Sequence, residues 1–223
     1  MAEFASEGFT ISRVSTADQV AALLRDKILS GELKPGTPLQ EVPLATAIGV
    51  ARNTIREAMR VLVYEGLVRH SPRRGGSVTA LTEDDVTDIY KLRRWIELPA
   101  LDNVAALTTD DLRPLDVAAE LKKAVESRDW NRVVELDMAF HRRLVAFVGS
   151  VRLDQFYRTL LSELRIGLML VDRTSSDGAR LVTDHQELYE MLVARRISEC
   201  KDALRLHLER AESDLKSVIG SPS

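Results

Sequence analysis

The chain has 223 residues, 45% apolar and 29% charged, with a formal net charge of −3. Those values fit one large or two small globular domains. No apolar run approaches the roughly 18 residues of a membrane span, residues 1–15 carry no secretion signal, and the single Cys200 excludes an internal disulfide or a multi-cysteine zinc site. A cytoplasmic protein is expected, with no membrane partner. Ala, Leu, Arg, Glu and Asp dominate, so a mostly α fold is expected.

The acidic balance argues against nucleic acid, but the distribution of charge does not. Residues 1–80 hold ten Lys and Arg against eight Asp and Glu, whereas residues 81–223 hold 21 against 26. Within 51–75 six arginines face two glutamates. Positive charge is thus focused in one short stretch, and the acidic remainder would be kept off phosphates.

In chain order, residues 1–14 read as a flexible tail. Ser15 or Thr16 caps a helix to about Ser30, with Val20, Leu23, Leu24, Ile28 and Leu29 as its apolar side. Lys34 to Pro38 is a turn, and a short helix runs from about Glu41 to Ile48, closed by Gly49. The stretch from Val50 to Val68 then shows Ile55, Ala58, Met59, Leu62 and Val63 at helical spacing. Arg52, Arg56 and Arg60 lie four apart on another side, and Arg52-Asn53-Thr54 makes a polar N-terminal tip. Such a helix can rest on its own domain and push its tip into a DNA major groove. Beyond Gly66, two β-prone runs flank Pro72-Arg73-Arg74-Gly75-Gly76, a hairpin with a basic tip. Three helices and this hairpin form an N-terminal winged helix-turn-helix over 15–81.

Thr82-Glu83-Asp84-Asp85 caps a new helix with almost no linker. From there to about Val218 every segment reads helical: about 83–107, 110–127, 130–148, 151–171, 179–194 and 197–217. Residues 82–218 are therefore expected to form an all-helical bundle with its own core. Its interior has a polar anomaly. In 130–148 the apolar stripe is Val133, Leu136, Phe140, Leu144 and Val148, and Asp137 and His141 flank it, one turn apart. His185 precedes inward Leu188, Met191 and Leu192. His207 lies among Cys200, Ala203, Leu204, Leu208, Ala211 and Leu215. Buried polar groups need partners. A single core histidine is most simply explained by its own hydrogen bond. For Asp137, His141, His185 and His207 together, one divalent transition metal is the economical answer: Zn first, with Ni, Mn, Fe or Co also suited.

The chain resembles the GntR family of bacterial transcriptional regulators, in the FadR subgroup with an FCD-type ligand domain. Leu44-Ala45, Gly49-Val50, Arg52, Ile55-Arg56-Glu57-Ala58, Leu62, Glu65-Gly66-Leu67-Val68, Arg74-Gly75 and Val78 carry the resemblance in the first half. Leu92-Arg93, Glu97, Asp137, Phe140-His141, Leu144, His185 and His207 carry it in the second. The resemblance implies that Arg52, Asn53, Thr54, Arg56 and the wing at Arg74-Gly75 meet double-stranded operator DNA. It implies that Asp137, His141, His185 and His207 are metal ligands, and that Arg93 clamps a small carboxylate metabolite. A homodimer acting as a repressor on a pseudo-palindromic site is expected. Ala51, Val42 and Gly149-Ser150 depart from common family residues. Two other functions compete: a sensor for which the ion is itself the signal, and a metal-dependent hydrolase. No nucleophile motif supports the latter.

Overall fold

The computed structural model describes residues 15–71, 75–168 and 175–220, most of them helical. Helix α1 (Thr16–Leu29) opens on a capping box, in which the Ser15 hydroxyl accepts from the Asp18 amide at 3.0 Å and the Asp18 carboxylate accepts from the Ser15 amide at 3.2 Å. Helix α2 (Glu41–Ile48) ends at Gly49, whose φ of +77° an L residue rarely adopts. Helix α3 (Arg52–Tyr64) follows at once. Ile55, Ala58, Met59 and Leu62 of α3 are buried in one cluster with Val20, Ala21, Leu24 and Ile28 of α1.

Three apolar positions expected inside lie outside. Leu23, Val63 and Val148 are 42%, 41% and 38% exposed. Leu23 and Val63 each neighbour a fully inward leucine, and adjacent helical residues point about 100° apart, so both fall off the buried arc. Val148 lies past the end of its helix.

Strands β1 (Pro38–Leu39), β2 (Val68–Ser71) and β3 (Gly75–Val78) form an antiparallel sheet in the order β1-β3-β2. β1 falls at the end of the stretch expected to be only a turn. The free edge of β3 recruits it, and Leu39 goes into the core. A Cβ on Gly76 would stand 2.2 Å from Met59 Cε, so the bare backbone lets β3 lie against α3. The wing tip at 72–74, with Arg73 and Arg74, and the expected tail at 1–14 lie outside the described residues.

The second half comprises α4 (Glu83–Ala100), α5 (Thr109–Leu112), α6 (Ala118–Glu126), α7 (Trp130–Ala146), α8 (Val151–Leu168), α9 (Ser175–Val193) and α10 (Ile197–Ile219). Two expected helices are shorter. Pro99 has no amide hydrogen for the Trp95 carbonyl, and α4 gives way to a 3-10 turn over Leu101–Ala106. Pro114 likewise splits the expected 110–127 helix into α5, a 3-10 turn and α6. Helices α4 and α10 run antiparallel, stapled by Arg94–Glu212 at 2.7 Å, and Lys201 of α10 reaches Asp102 in the 3-10 turn after α4 at 2.6 Å. Their apolar faces join those of α6 to α9 in a second buried cluster.

Helix α8 touches both clusters. Ile166 is buried with the first and Leu164 with the second. Arg69 of β2 bonds both Asp85 oxygens at 3.1 and 3.2 Å and stands 3.6 Å from Glu163 of α8. Gln155 of α8 donates to the Tyr64 hydroxyl at the end of α3.

Thr82 caps α4 in a second capping box, with the Asp85 amide donating to its hydroxyl at 3.2 Å. Thr82→Ala should cost about 1 kcal/mol and lower Tm by about 2–4 °C. Thermal unfolding followed by circular dichroism checks this, and an unchanged Tm would show the cap adds nothing.

Candidate functional site

The polar anomaly of the bundle closes into one cluster. Helix α7 carries Asp137 and His141 one turn apart, α9 carries His185 and α10 carries His207, all buried. The apolar face of each helix drives it inward and takes its polar member along. Phe140 packs edge-on against His185 at 4.7 Å between ring centres. The three imidazole rings lie 5.1–5.6 Å apart. One ligand atom from each of the four residues falls within 4.8 Å of all the others. Asp137 Oδ1 stands 3.4 Å from His185 Nε2 and 3.8 Å from His141 Nε2.

Every Nδ1 has an acceptor. His141 donates to Glu97 Oε2 at 2.6 Å, His185 to the Leu181 carbonyl at 2.9 Å and His207 to Asp184 at 3.2 Å. Those partners place the proton on Nδ1 and leave the Nε2 lone pair free. The Nε2 atoms of His141 and His185 are buried without a hydrogen-bond partner among the described residues. Three imidazoles and one carboxylate, with the unpartnered Nε2 atoms of His141 and His185 among them, fit a divalent transition metal.

Burial pushes the His185 pKa from the ordinary 6.5 down to about 3. Burial also lowers that of His141, against the pull of Glu97. Burial alone would raise Glu97, but the charge of Arg93 and hydrogen bonds from His141 and Tyr157 hold it at about 2.

A cavity of about 220 Å³ adjoins the cluster, walled by Asp137, His207, Arg93, Leu168, Leu181 and Ala211 among others. Arg93 is thus beside the pocket, as expected, though one part of it is committed: Nε donates to Glu97 Oε1 at 2.8 Å. Its Nη2 is buried with no hydrogen-bond partner among the described residues. At the rim, Arg180 pairs with Asp214 and Arg210 with Asp184.

On the opposite half, the first turn of α3 presents Arg52, Asn53 and Arg56 to solvent, while Thr54 is half-buried. Gly75 opens β3 at φ +77°, and Arg74 lies outside the described residues. Sequence reasoning missed Glu41. This residue, at the start of α2, accepts from Arg56 at 2.7 and 3.0 Å and from Arg52 at 3.5 Å. Glu97 was legible only as part of a pattern, without a role. Asp184 and Tyr157 had no sequence signal beyond their helices.

A helix-turn-helix with a β wing, followed by a helical bundle with its own cavity, defines a class of two-part DNA-binding protein. Comparison with known proteins narrows the class. Residues 16–78 match the bacterial regulatory proteins of the gntR family, and residues 88–210 match the FCD domain. The chain belongs to the GntR family and carries an FCD domain. It is 28% identical to an HTH-type transcriptional regulator of Bacillus subtilis over 88% of this chain and 89% of that one. It is 30% identical to the gluconate operon transcriptional repressor of Bacillus licheniformis, over 80% and 76%. A solved GntR regulator from Rhodococcus sp. RHA1 superposes with a TM-score of 0.77 at 30% identity, covering 93% of this chain and 99% of that one. The protein is a DNA-binding transcriptional regulator and not an enzyme, as expected, and the rival hydrolase reading falls. No helix among the described residues is long and apolar enough to cross a membrane.

The depressed histidine pKa makes a pH prediction for the metal-free protein. Below about pH 6.5 the unfolded chain takes up a proton at His185 that the folded chain refuses until about pH 3. Stability should therefore fall progressively as pH drops through that window. His185→Gln should flatten the pH dependence of urea midpoints between 6.5 and 4. An identical slope in both proteins would show that His185 is not the group responsible.

Proposed function

We propose that this regulator is a homodimeric repressor whose grip on operator DNA is set by a small carboxylate metabolite bound beside a metal ion in the bundle. The observation that carries the reading is the convergence of Asp137, His141, His185 and His207 within 4.8 Å, next to a cavity that also exposes Arg93. Zinc suits the set best, and Ni, Mn, Fe or Co also fit. Held by these four residues, such an ion would supply Lewis acidity beside the cavity.

Arg93 would then take a carboxylate oxygen through its unpartnered Nη2. The cavity lies below the roughly 300–1,000 Å³ of drug-sized sites, which favours a compact acid over a long acyl chain. The relative in Bacillus licheniformis is a gluconate operon repressor, so small hydroxylated acids are the first class to screen. Leu168 at the end of α8 lines the same cavity, and α8 reaches the DNA-binding half through Ile166, Glu163 and Gln155. A shift of α8 on effector binding gives the two sites a shared element.

On DNA, Arg52, Asn53, Thr54 and Arg56 enter the major groove, with Arg74 and Gly75 of the wing at the backbone or minor groove. Glu41 holds Arg56 and Arg52 in place and keeps a negative charge close to the phosphates. Arg56→Ala should weaken operator binding by about 1–3 kcal/mol. Glu41→Gln should instead strengthen binding to random-sequence DNA and narrow the ratio of specific to non-specific affinity. Fluorescence anisotropy over a salt series measures both. Unchanged affinity in Arg56→Ala would remove this arginine from the reading surface.

His185→Ala should lower bound metal and Tm together, because ligation adds folding free energy. Full metal occupancy by elemental analysis would contradict ligation by His185. Operator binding with and without chelator, at fixed metabolite, separates this function from that of a metal sensor, which answers to the ion alone.

A further inference from the structure

Glu97 is fully buried and accepts three hydrogen bonds. Its Oε1 takes Arg93 Nε at 2.8 Å and the Tyr157 hydroxyl at 2.6 Å, and its Oε2 takes His141 Nδ1 at 2.6 Å. It is neither one of the four converging residues nor part of the cavity wall. It therefore touches neither ligand, yet it holds one group that faces each.

We propose that Glu97 is a positioning residue shared by the two parts of the site, His141 for the ion and Arg93 for the effector. Its single carboxylate fixes the tautomer and ring angle of His141 for the ion, and it aims the free edge of Arg93 at the cavity. This inference rests on the metal and effector reading above. The partners of the other two imidazoles are poorer anchors. His185 gives its Nδ1 proton to a neutral carbonyl. His207 shares Asp184 with Arg210 at a longer 3.2 Å. Only His141, among the described residues, has a fully buried carboxylate at 2.6 Å, and Tyr157 and Arg93 pin that carboxylate from its other oxygen. A carboxylate behind a ligating imidazole raises its basicity and orients its lone pair. On α4, Glu97 lies one turn from Arg93, so a single helix carries both the clamp and its aligning group.

The competing explanation is that Glu97 only neutralises a buried guanidinium. Glu97→Gln alone strands that cation, so the test removes it first. Arg93→Met replaces the cation with an apolar chain, and Arg93→Met/Glu97→Gln then removes the carboxylate, a buried-pair exchange that folds commonly tolerate. Binding of Co²⁺, read by its visible absorption, and of Zn²⁺ by competition, compares the two variants. The double variant should bind about 10–100-fold more weakly than Arg93→Met. In the metal-free state, ¹⁵N shifts of labelled histidine should show His141 protonated at Nδ1 in Arg93→Met and mixed between tautomers in the double variant. Equal metal affinity and equal tautomer ratios would overturn the positioning role and leave the metal site standing. If wild type and Asp137→Ala bind Co²⁺ alike, the metal reading itself fails, and this inference with it.

Discussion

Everything in the C-terminal half is arranged around the difficulty of placing ionised groups in an apolar bundle. An unpaired buried charge costs several kcal/mol, and losing one partner of a buried pair is strongly destabilising. Arg93 and Glu97 meet this constraint on one helix, and Tyr157 and His141 complete it from α8 and α7. These contacts demand particular distances between three helices, where hydrophobic packing alone tolerates sliding. The polar network therefore contributes geometry more than net stability. It holds α4, α7 and α8 in the register that brings His141 opposite His185 and His207. Burial then keeps the imidazoles of His141 and His185 neutral, the form that can donate a lone pair to an ion.

The DNA-binding half solves a different electrostatic problem. Arg52 and Arg56 stand on an exposed ridge, where a free guanidinium would sample many rotamers and bind any phosphate. Glu41 restrains both from the neighbouring helix at 2.7–3.5 Å. These pairs are solvent-exposed and add little to stability. Their value is directional, because they present the two cations one turn apart on the same face of α3. A chain that is acidic overall thereby concentrates ordered positive charge on one surface.

How much of this was readable in advance follows from which features are local. Asp137, His141, His185 and His207 were legible because each interrupts or borders an apolar stripe of helical period, so each had to be buried beside its neighbours. The capping boxes at Ser15 and Thr82 and the turn at Gly49 are equally local. Leu23 and Val63 misled because a stripe seen in sequence is wider than the arc a real helix buries. Strand β1 was invisible: two residues carry no period, and only the waiting edge of β3 gives them a ladder. Glu97, Tyr157 and Asp184 needed distances between helices, which no spacing along one helix encodes. The breaks at Pro99 and Pro114 were in plain view, but the surrounding periodicity outweighed them.

What remains is how a cavity in one half could alter a surface in the other. The connection between the halves is short: residues 79–82 separate β3 from α4. It cannot by itself transmit much, because Arg69 bonds Asp85 on the first turn of α4 and locks the junction. Helix α8 is the better conduit. Tyr157 ties it to Glu97, Leu168 ends it at the cavity wall, and Ile166 sits in the core beneath α1 and α3. Gly167 lies against Leu81 and Leu215 so closely that a Cβ there would come within 2.9 Å of Leu81, leaving α8 little room to rotate in place. A close-packed helix answers a push at one end by moving as a rod or by repacking at a defined step, not by bending gradually. In the proposed mechanism, drawing Arg93 toward a carboxylate disturbs Glu97, and Glu97 is bonded to α8 through Tyr157. One route from the cavity to the wing therefore runs through the Arg93, Glu97 and Tyr157 contacts, along the body of α8 to Glu163, and across 3.6 Å to Arg69.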